Sequence, residues 1–593
     1  MSPRLVIMVE EVENPADAAG RVALERMFAC LDNGSSFRLE AGAGAGKTFS
    51  LDKALRRLID QRGAELLRVG QQVGCITYTN VAKDEIISRI QAHPAVRPET
   101  IHGFCWSLLK DFQSTLRALV PNLDGWAERL DPVGGIGARR VHYELGYPSV
   151  GDHQVTLRHD DVLAMMIEAL SYPKFRSVLT ARFPILLIDE YQDTDAGFVD
   201  AIKAQFLDGG HGPQIGLFGD HWQKIYGEGC GLVEHPALVV IDKNANFRST
   251  DPIVQMLNRM RPALPQTVRD PALPGEARLF HTNQWPGARR TGQGGGHWTG
   301  DTSPEAAKAY FAHIKQRLAG EGWDFAVEKT KILMLSHSVL AREQGYANIP
   351  PIYGQFNDPW LKKDDPHIKF LADQLEPACA AFEAKRYGEM FECFGTGAPK
   401  IRKHADKVAW TNAMTILLAL RMSGTIGEVV DYIAGQPHMR LPETVEDAEK
   451  RLADAGPEPV EGEPRRVTRL RKLRAVPYIE LIALDRFIDG HTPFATKHGV
   501  KGAEFENVLV IVGRGWNKYN FNQMLEWIEA GPPADKVEFF ENNRNLFYVA
   551  CSRPKVRLAL LFTQLLSADA MARLSAWFGA DNIVALPADP GVA

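Results

Sequence analysis

Ala41-Gly-Ala-Gly-Ala-Gly-Lys-Thr48 is the stretch on which the reading of this chain turns. Phe37 and Leu39 alternate with polar residues before it, and a helix-like pattern from Leu51 to Ile59 follows it. Strand, glycine-rich loop and helix, in that order, form the setting in which backbone N–H groups close around phosphate oxygens. Glycines at 42, 44 and 46 let the backbone approach those oxygens without Cβ clashes. Ala41, Gly42, Ala43, Gly44, Ala45 and Gly46 are thus the expected cradle, Lys47 the group that reaches the outer phosphates, and Thr48 a holder of Mg²⁺. The first position departs from the general pattern, which has glycine where Ala41 stands.

A second segment completes the chemistry. Leu186-Leu-Ile-Asp-Glu-Tyr-Gln-Asp-Thr194 sets two adjacent carboxylates behind an apolar run, Ile185–Ile188, that reads as a strand buried on both faces of a parallel sheet. Phosphoryl transfer to water needs a metal holder and a water-activating base, and Asp189 and Glu190 are placed for those two tasks. Val73–Asn80 and Ile215–Phe218 read as further strands, each with polar residues at its end, where open α/β sheets place their ligand sites. Residues 93–180 look mainly helical, with Pro94, Pro98, Pro121 and Pro132 as punctuation. Glycines 287, 292, 294, 295, 296 and 300 mark a flexible surface loop. Ile332–Leu335 opens a second α/β unit that Val508–Val512 and Leu558–Phe562 continue, with residues 345–440 largely helical in pattern. The expectation is an α/β chain of two units of similar logic, each interrupted by helical inserts.

The bulk properties bound the partners. A chain of 593 residues is too long for one core. Its net charge of −5 carries no overall basic signature, so a nucleic acid has to sit in a local groove. The seven cysteines form no CxxC pair, which argues against a zinc ribbon or iron–sulfur cluster and fits a reducing compartment. The N-terminus, with Glu10, Glu11 and Glu13, lacks the features of a signal peptide, and no apolar run is long enough to span a bilayer. A soluble, cytoplasmic protein with no membrane partner is expected.

Further segments follow in order. They are Thr77-Tyr-Thr-Asn80, Thr100-Ile-His-Gly-Phe104, Gly219-Asp-His-Trp-Gln-Lys-Ile-Tyr226 and Asn246-Phe-Arg-Ser-Thr250, then Thr496-Lys-His-Gly-Val-Lys-Gly-Ala-Glu-Phe505 and Asn545-Leu-Phe-Tyr-Val-Ala-Cys-Ser-Arg553. This series resembles the superfamily 1A DNA helicases, the group of UvrD, Rep and PcrA. The resemblance implies two RecA-like P-loop domains, parallel sheets flanked by helices, that clamp ATP and Mg²⁺ between them. It divides the chain into a first domain (1–92 and 181–250) with a helical insert at 93–180, and a second (251–340 and 477–593) with an insert at 341–476. It implies an ATP hydrolase that moves 3′→5′ along single-stranded or tailed DNA, in DNA repair or anti-phage defence.

By the same resemblance, Arg248 and Arg553 reach the γ-phosphate from across the cleft, a task that suits a permanently charged, forked guanidinium. Gln223 senses that phosphate, and Glu504 contacts the ribose or the domain interface. For Glu504 a carboxylate at a helix start is an equally good reading. Thr77, Tyr78, Thr100, His102, Tyr226, Thr496 and His498 are placed near the single strand, where hydroxyls and imidazoles position phosphates and tyrosines offer faces to bases. Burial in the core is an equal reading for the tyrosines. The basic run Arg465, Arg466, Arg469, Arg471, Lys472 and Arg474 reads as a solvated linker or helix face before a DNA contact.

The chain also departs from that family. No glutamine precedes Lys47, where the family reads adenine, so selectivity for ATP is in question. Gly227-Glu-Gly-Cys230 stands where the family carries an aromatic and an arginine, with Trp222 a candidate substitute, and Asn542 and Asn543 replace acidic residues. Ser336–Tyr346 and Gly515–Phe521 look like the compact UvrD-like proteins of Gabija-type anti-phage systems, which work beside an OLD-family nuclease subunit. No nuclease signature is visible, and the ~40 residues after Arg553 are too few for an ordinary appended domain. Two readings follow: a translocating helicase, or a DNA-stimulated ATPase that activates a partner nuclease with little unwinding of its own.

Overall fold

The computed structural model describes residues 13–144, 148–225, 227, 229–291, 299–334, 337–354, 359–394, 401–437, 439–490, 492–496, 503–513 and 519–589. Two six-stranded sheets, parallel throughout, organise them. The first contains β1 (Phe37–Ala41), β2 (Val73–Thr77), β3 (Val96–Thr100), β4 (Ile185–Asp189), β5 (Gln214–Gly219) and β6 (Val239–Lys243), in the spatial order β3-β2-β4-β5-β1-β6. The second contains β7 (Glu276–His281), β8 (Thr330–Met334), β9 (Phe494–Thr496), β10 (Phe505–Val512), β11 (Pro554–Phe562) and β12 (Ile583–Ala585), in the order β9-β8-β10-β11-β7-β12. Strands β1, β2, β4 and β5 are buried at every position, which is why they read as continuous apolar runs rather than alternating ones. The fold is α/β with two RecA-like sheets, as the sequence implied.

Each sheet shares a core with its helical insert. Ile76, Leu186, Ile188, Ile215 and Leu217 of the first sheet pack in one cluster with Phe104, Trp126, Met165, Leu179 and Phe198. Ile332, Leu509 and Leu561 of the second pack with Trp360, Leu375, Trp410, Leu417, Ile433 and Leu481. Neither insert is therefore a separately cored appendage.

The structure adds detail to the expected helical and basic segments. The regular structure of residues 93–180 is mainly helical, as expected, but strands interrupt it: Val96–Thr100 is the edge strand β3, and Arg140–Tyr143, Ser149–Val150 and Gln154–Leu157 form a small three-stranded sheet. Before the basic run, Glu443–Asp454 forms a helix. The basic run is a helix, Arg465–Arg474, and part of its charge is spent internally: Arg471 pairs with Glu463, and Arg474 with Asp431 and Glu449. The expected strand end at Leu335, the glycines from 292 to 296, and most of the Gly515–Phe521 segment lie outside the described residues.

A candidate nucleotide site between the two sheets

The glycine loop leaves β1 and enters helix α1 (Lys47–Arg68), whose N-cap, Gly46, offers no side-chain acceptor to the first-turn N–H groups. Gly44 and Gly46 both stand at φ 75°, in the left-handed region. A Cβ on Gly44 would sit 2.7 Å from Asn246 Oδ1 and 2.8 Å from Arg248 Cβ, so only glycine fits between the loop and the Asn246–Arg248 segment.

Four of the loop's carbonyls are occupied, three of them from outside the loop. Gly42 O accepts from Ala45 N at 3.1 Å and Gly44 O from Phe247 N at 2.8 Å. Ala43 O accepts from Asn246 Nδ2 at 3.0 Å and Gln266 Nε2 at 3.2 Å. Gly46 O accepts from Lys243 Nζ at 3.1 Å, and that buried ammonium also donates to Ser50 Oγ at 2.7 Å. Burial pulls the Lys243 pKa down to about 8. With these carbonyls held, the cradle offers an anion mainly N–H groups, the polarity that phosphate requires. The residues present therefore fit a nucleotide's phosphates. Lys243 and Gln266 escaped the sequence reading. The only trace of Lys243 was the apolar start of β6, which brings it into register beside Ala41.

The carboxylates lie where β4 ends. Asp189 is buried, and burial, then the charge of Glu190, pushes its pKa up to about 7 against the pull of Lys47. Glu190 follows at φ 47°, a left-handed conformation that a non-glycine residue rarely holds. Its carboxylate lies 3.9 Å from Lys47 Nζ, and Oε2 accepts from Gln192 Nε2 at 2.5 Å. Gln192 Oε1 in turn accepts from Asp220 N at 3.0 Å, which ties the acidic segment to the turn after β5.

The second sheet closes the site. Arg553, fully buried after helix α2 (Val537–Cys551), donates Nη2 to Gln223 Oε1 at 3.4 Å and Nε to Val549 O at 3.0 Å. Among the described residues it has no carboxylate ion pair; burial and the neighbouring charge of Arg248 hold its pKa down to about 9. Arg248 donates Nε to Glu504 Oε2 at 2.9 Å and Nη1 to Ser552 O at 3.1 Å. Glu504 also pairs with Lys555 at 2.6 Å and lies beside the start of strand β10, which removes the helix-start reading. Ala43 and Ile225 of the first lobe pack in the same apolar cluster as Phe547, Tyr548 and Leu560 of the second, so the lobes are closed on each other.

The residues expected along a DNA strand are less uniform. Tyr78 is 48% exposed, a surface side chain rather than a core one. Thr77 is buried and gives its hydroxyl to Thr79 O at 3.2 Å. Thr100 caps the helix Ile101–Leu109 through Gly103 N, and His102 rests edge-on against His159, with ring centroids 4.5 Å apart. Burial, then the charge of His159, takes the His102 pKa down to about 4. Tyr226, His498 and the side chain of Thr496 lie outside the described residues. Trp222 is not free to stack on a base: two guanidiniums, Arg544 at 4.4 Å and Arg261 at 5.3 Å, already lie over its ring.

Residues 25–132 and 142–227 match the model of the UvrD/REP helicase N-terminal domain. These stretches of the first lobe are similar to that UvrD-type domain. The chain is similar to the Gabija protein GajB of Bacillus cereus (strain HuB5-5), 22% identical over 689 aligned residues that cover 91% of this chain and 95% of that one. It is also similar to the ATP-dependent DNA helicase UvrD1 of Mycobacterium leprae (strain TN), 24% identical over 301 residues, covering 39% of this chain and 38% of that one. No helix among the described residues is long and apolar enough to cross a membrane.

Proposed function

We propose that this chain hydrolyses ATP at the seam between its lobes and uses the cycle to move 3′→5′ along single-stranded DNA. The observation that supports this most is Arg553. A fully buried guanidinium whose described partners are carbonyl, hydroxyl and amide oxygens is an uncompensated charge, and such charges are costly unless a ligand completes them. The γ-phosphate of a nucleotide cradled on Gly42–Lys47 is that ligand. Mg²⁺, when bound, supplies further charge neutralisation for the transferred phosphoryl group. Thr48 and Asp189 would hold it. Lys47 orients the outer phosphates, Glu190 positions and deprotonates the attacking water, Arg553 stabilises charge from the second lobe with Arg248 beside it, and Gln223 reads the state of the phosphate. Tyr78 presents its exposed face to a base.

A second reading draws on Gly227-Glu-Gly-Cys230 and on the likeness to GajB along almost the whole chain. In it ATP turnover reports DNA to an OLD-family nuclease partner in anti-phage defence, with little strand separation. ATP and GTP hydrolysis with and without single-stranded DNA tests the shared core: turnover that rises with DNA is expected. A 3′-tailed duplex then separates the readings. Displacement by the protein alone supports the helicase; DNA-stimulated turnover without displacement supports the sensor. Turnover indifferent to DNA overturns both.

A further inference from the structure

Asp220, His221, Trp222, Gln223 and Lys224, consecutive in the first lobe, are each gripped by a side chain of the second. Arg261 Nη1 donates to Asp220 Oδ1 at 2.6 Å. Asn545 Nδ2 donates to His221 O at 3.1 Å and to Lys224 O at 3.0 Å. Arg553 reaches Gln223. Trp222 meets three groups at once: the guanidiniums of Arg544 and Arg261, and the ring of Tyr548, edge-on with centroids 5.4 Å apart. Arg544 also lies 5.6 Å from the Phe540 ring of its own helix, so its guanidinium touches an aromatic of each lobe. Arg261 belongs to the second lobe because it ends the helix Asp251–Met260, which packs on β7, β11 and α2.

The turn that carries Trp222 is short and stiff. Asp220 Oδ1 accepts from Trp222 N at 3.0 Å, and Asp220 O accepts from Gln223 N at 2.8 Å. A shift of the indole therefore moves Gln223. The contact it moves, Gln223 Oε1 to Arg553 Nη2, is already at 3.4 Å, the long end of a useful hydrogen bond, where a displacement of a few tenths of an ångström breaks it. Cation–π contacts in half-buried settings are strong enough to fix such a ring.

We propose that Trp222 is a positioning residue: clasped by Arg544 and Arg261, it carries the seating of the second lobe into the placing of Gln223 against Arg553. It acts on the hydrolytic step and not on nucleotide affinity. The inference rests on the hydrolase reading above.

The test uses the full chain and compares wild type with Trp222→Ala, Trp222→Phe and Arg544→Gln. ATP turnover at saturating single-stranded DNA is measured beside equilibrium binding of a fluorescent ATP analogue and of the DNA. Trp222→Ala and Arg544→Gln are expected to lower kcat by about tenfold or more, the size of a lost transition-state contact, with KM and both affinities within about twofold. Trp222→Phe keeps an aromatic face and is expected to recover most of kcat. Unchanged kcat in Trp222→Ala overturns the proposal. So does a loss confined to DNA affinity, which would make Trp222 a base-stacking residue after all. So does a joint loss of melting temperature and nucleotide affinity in both Trp222 variants, which would make the ring a packing element. A wild-type protein that hydrolyses no nucleoside triphosphate overturns the hydrolase reading and this inference with it; a hydrolysing wild type beside a normal Trp222→Ala overturns this inference alone.

Discussion

At the scale of single residues, the site is a set of charges kept in uncomfortable places. Glu190 holds a left-handed backbone, Asp189 is a buried acid raised toward neutrality, and Arg553 is a buried cation with no carboxylate ion pair among the described residues. Such costs are sustained where function uses them. Glu190→Gln is expected to lower turnover by about 10²–10⁴-fold, the usual worth of a general base, while an ATP analogue still binds. Near-normal turnover would remove Glu190 from that role. Arg553→Met is expected to slow turnover by about 10³-fold, the lower end for an arginine finger, with nucleotide affinity little changed. Its second signature is a melting temperature, without nucleotide, that does not fall, because the variant removes a buried charge that has no ion-pair partner among the described residues. His102 gives a pH signature. Its folded pKa, about 4, lies below the usual histidine value of about 6.5, so between those values the unfolded chain binds more protons. Stability is therefore expected to decline as pH falls from 6.5 toward 4, and denaturation midpoints of His102→Asn are expected to show less of that slope.

At the scale of elements, what could be read from the sequence depended on burial. Strands β2, β4 and β5 lie inside the first sheet, with neighbours on both sides, and announce themselves as apolar runs. Strand β3, Val-Arg-Pro-Glu-Thr, lies at the sheet's edge with one partner, tolerates Pro98 there, and is mostly half-buried, so it carries no apolar signal and does not stand out from the helical stretch around it. The glycine loop, the acid pair and both arginines were legible because each is a short local pattern. Lys243, Gln266 and Asn545 were not, because their role is to meet backbone carbonyls far away in sequence. Gly44 joins the two kinds of information. Gly44→Ala drives a Cβ into Asn246 and Arg248 at a φ of 75°. The strained backbone alone is expected to cost about 1–3 kcal/mol and to abolish binding of an ATP analogue, while Gly34→Ala, also at positive φ but with open space around it, leaves binding intact.

At the scale of the whole molecule, the lobes are joined by charge as well as by apolar contact. Glu40, Asp220 and His221 converge closely enough to share a cation, and the cation they share is the Arg261 guanidinium of the second lobe. Burial works against the Glu40 carboxylate, but the hydrogen bond from His221 and the charge of Arg261 hold its pKa down to about 2. Asp220 and His221 stand in the turn that carries Gln223, so this ion-pair cluster joins the closure of the lobes to the placing of a proposed site residue. Removing one partner of a buried cluster costs about 3–5 kcal/mol, and without Arg261 the buried Asp220 carboxylate loses its ion pair while Glu40 keeps Arg38 and His221. Arg261→Ala is therefore expected to lower the denaturation midpoint and to enlarge the radius of gyration measured by X-ray scattering, as the lobes part. Arg261→Lys is expected to recover only part of this, since an ammonium cannot fork between Glu40 and Asp220 as a guanidinium does. If Arg261→Ala instead loses stability with no change in the radius, the cluster holds the first lobe together rather than joining it to the second.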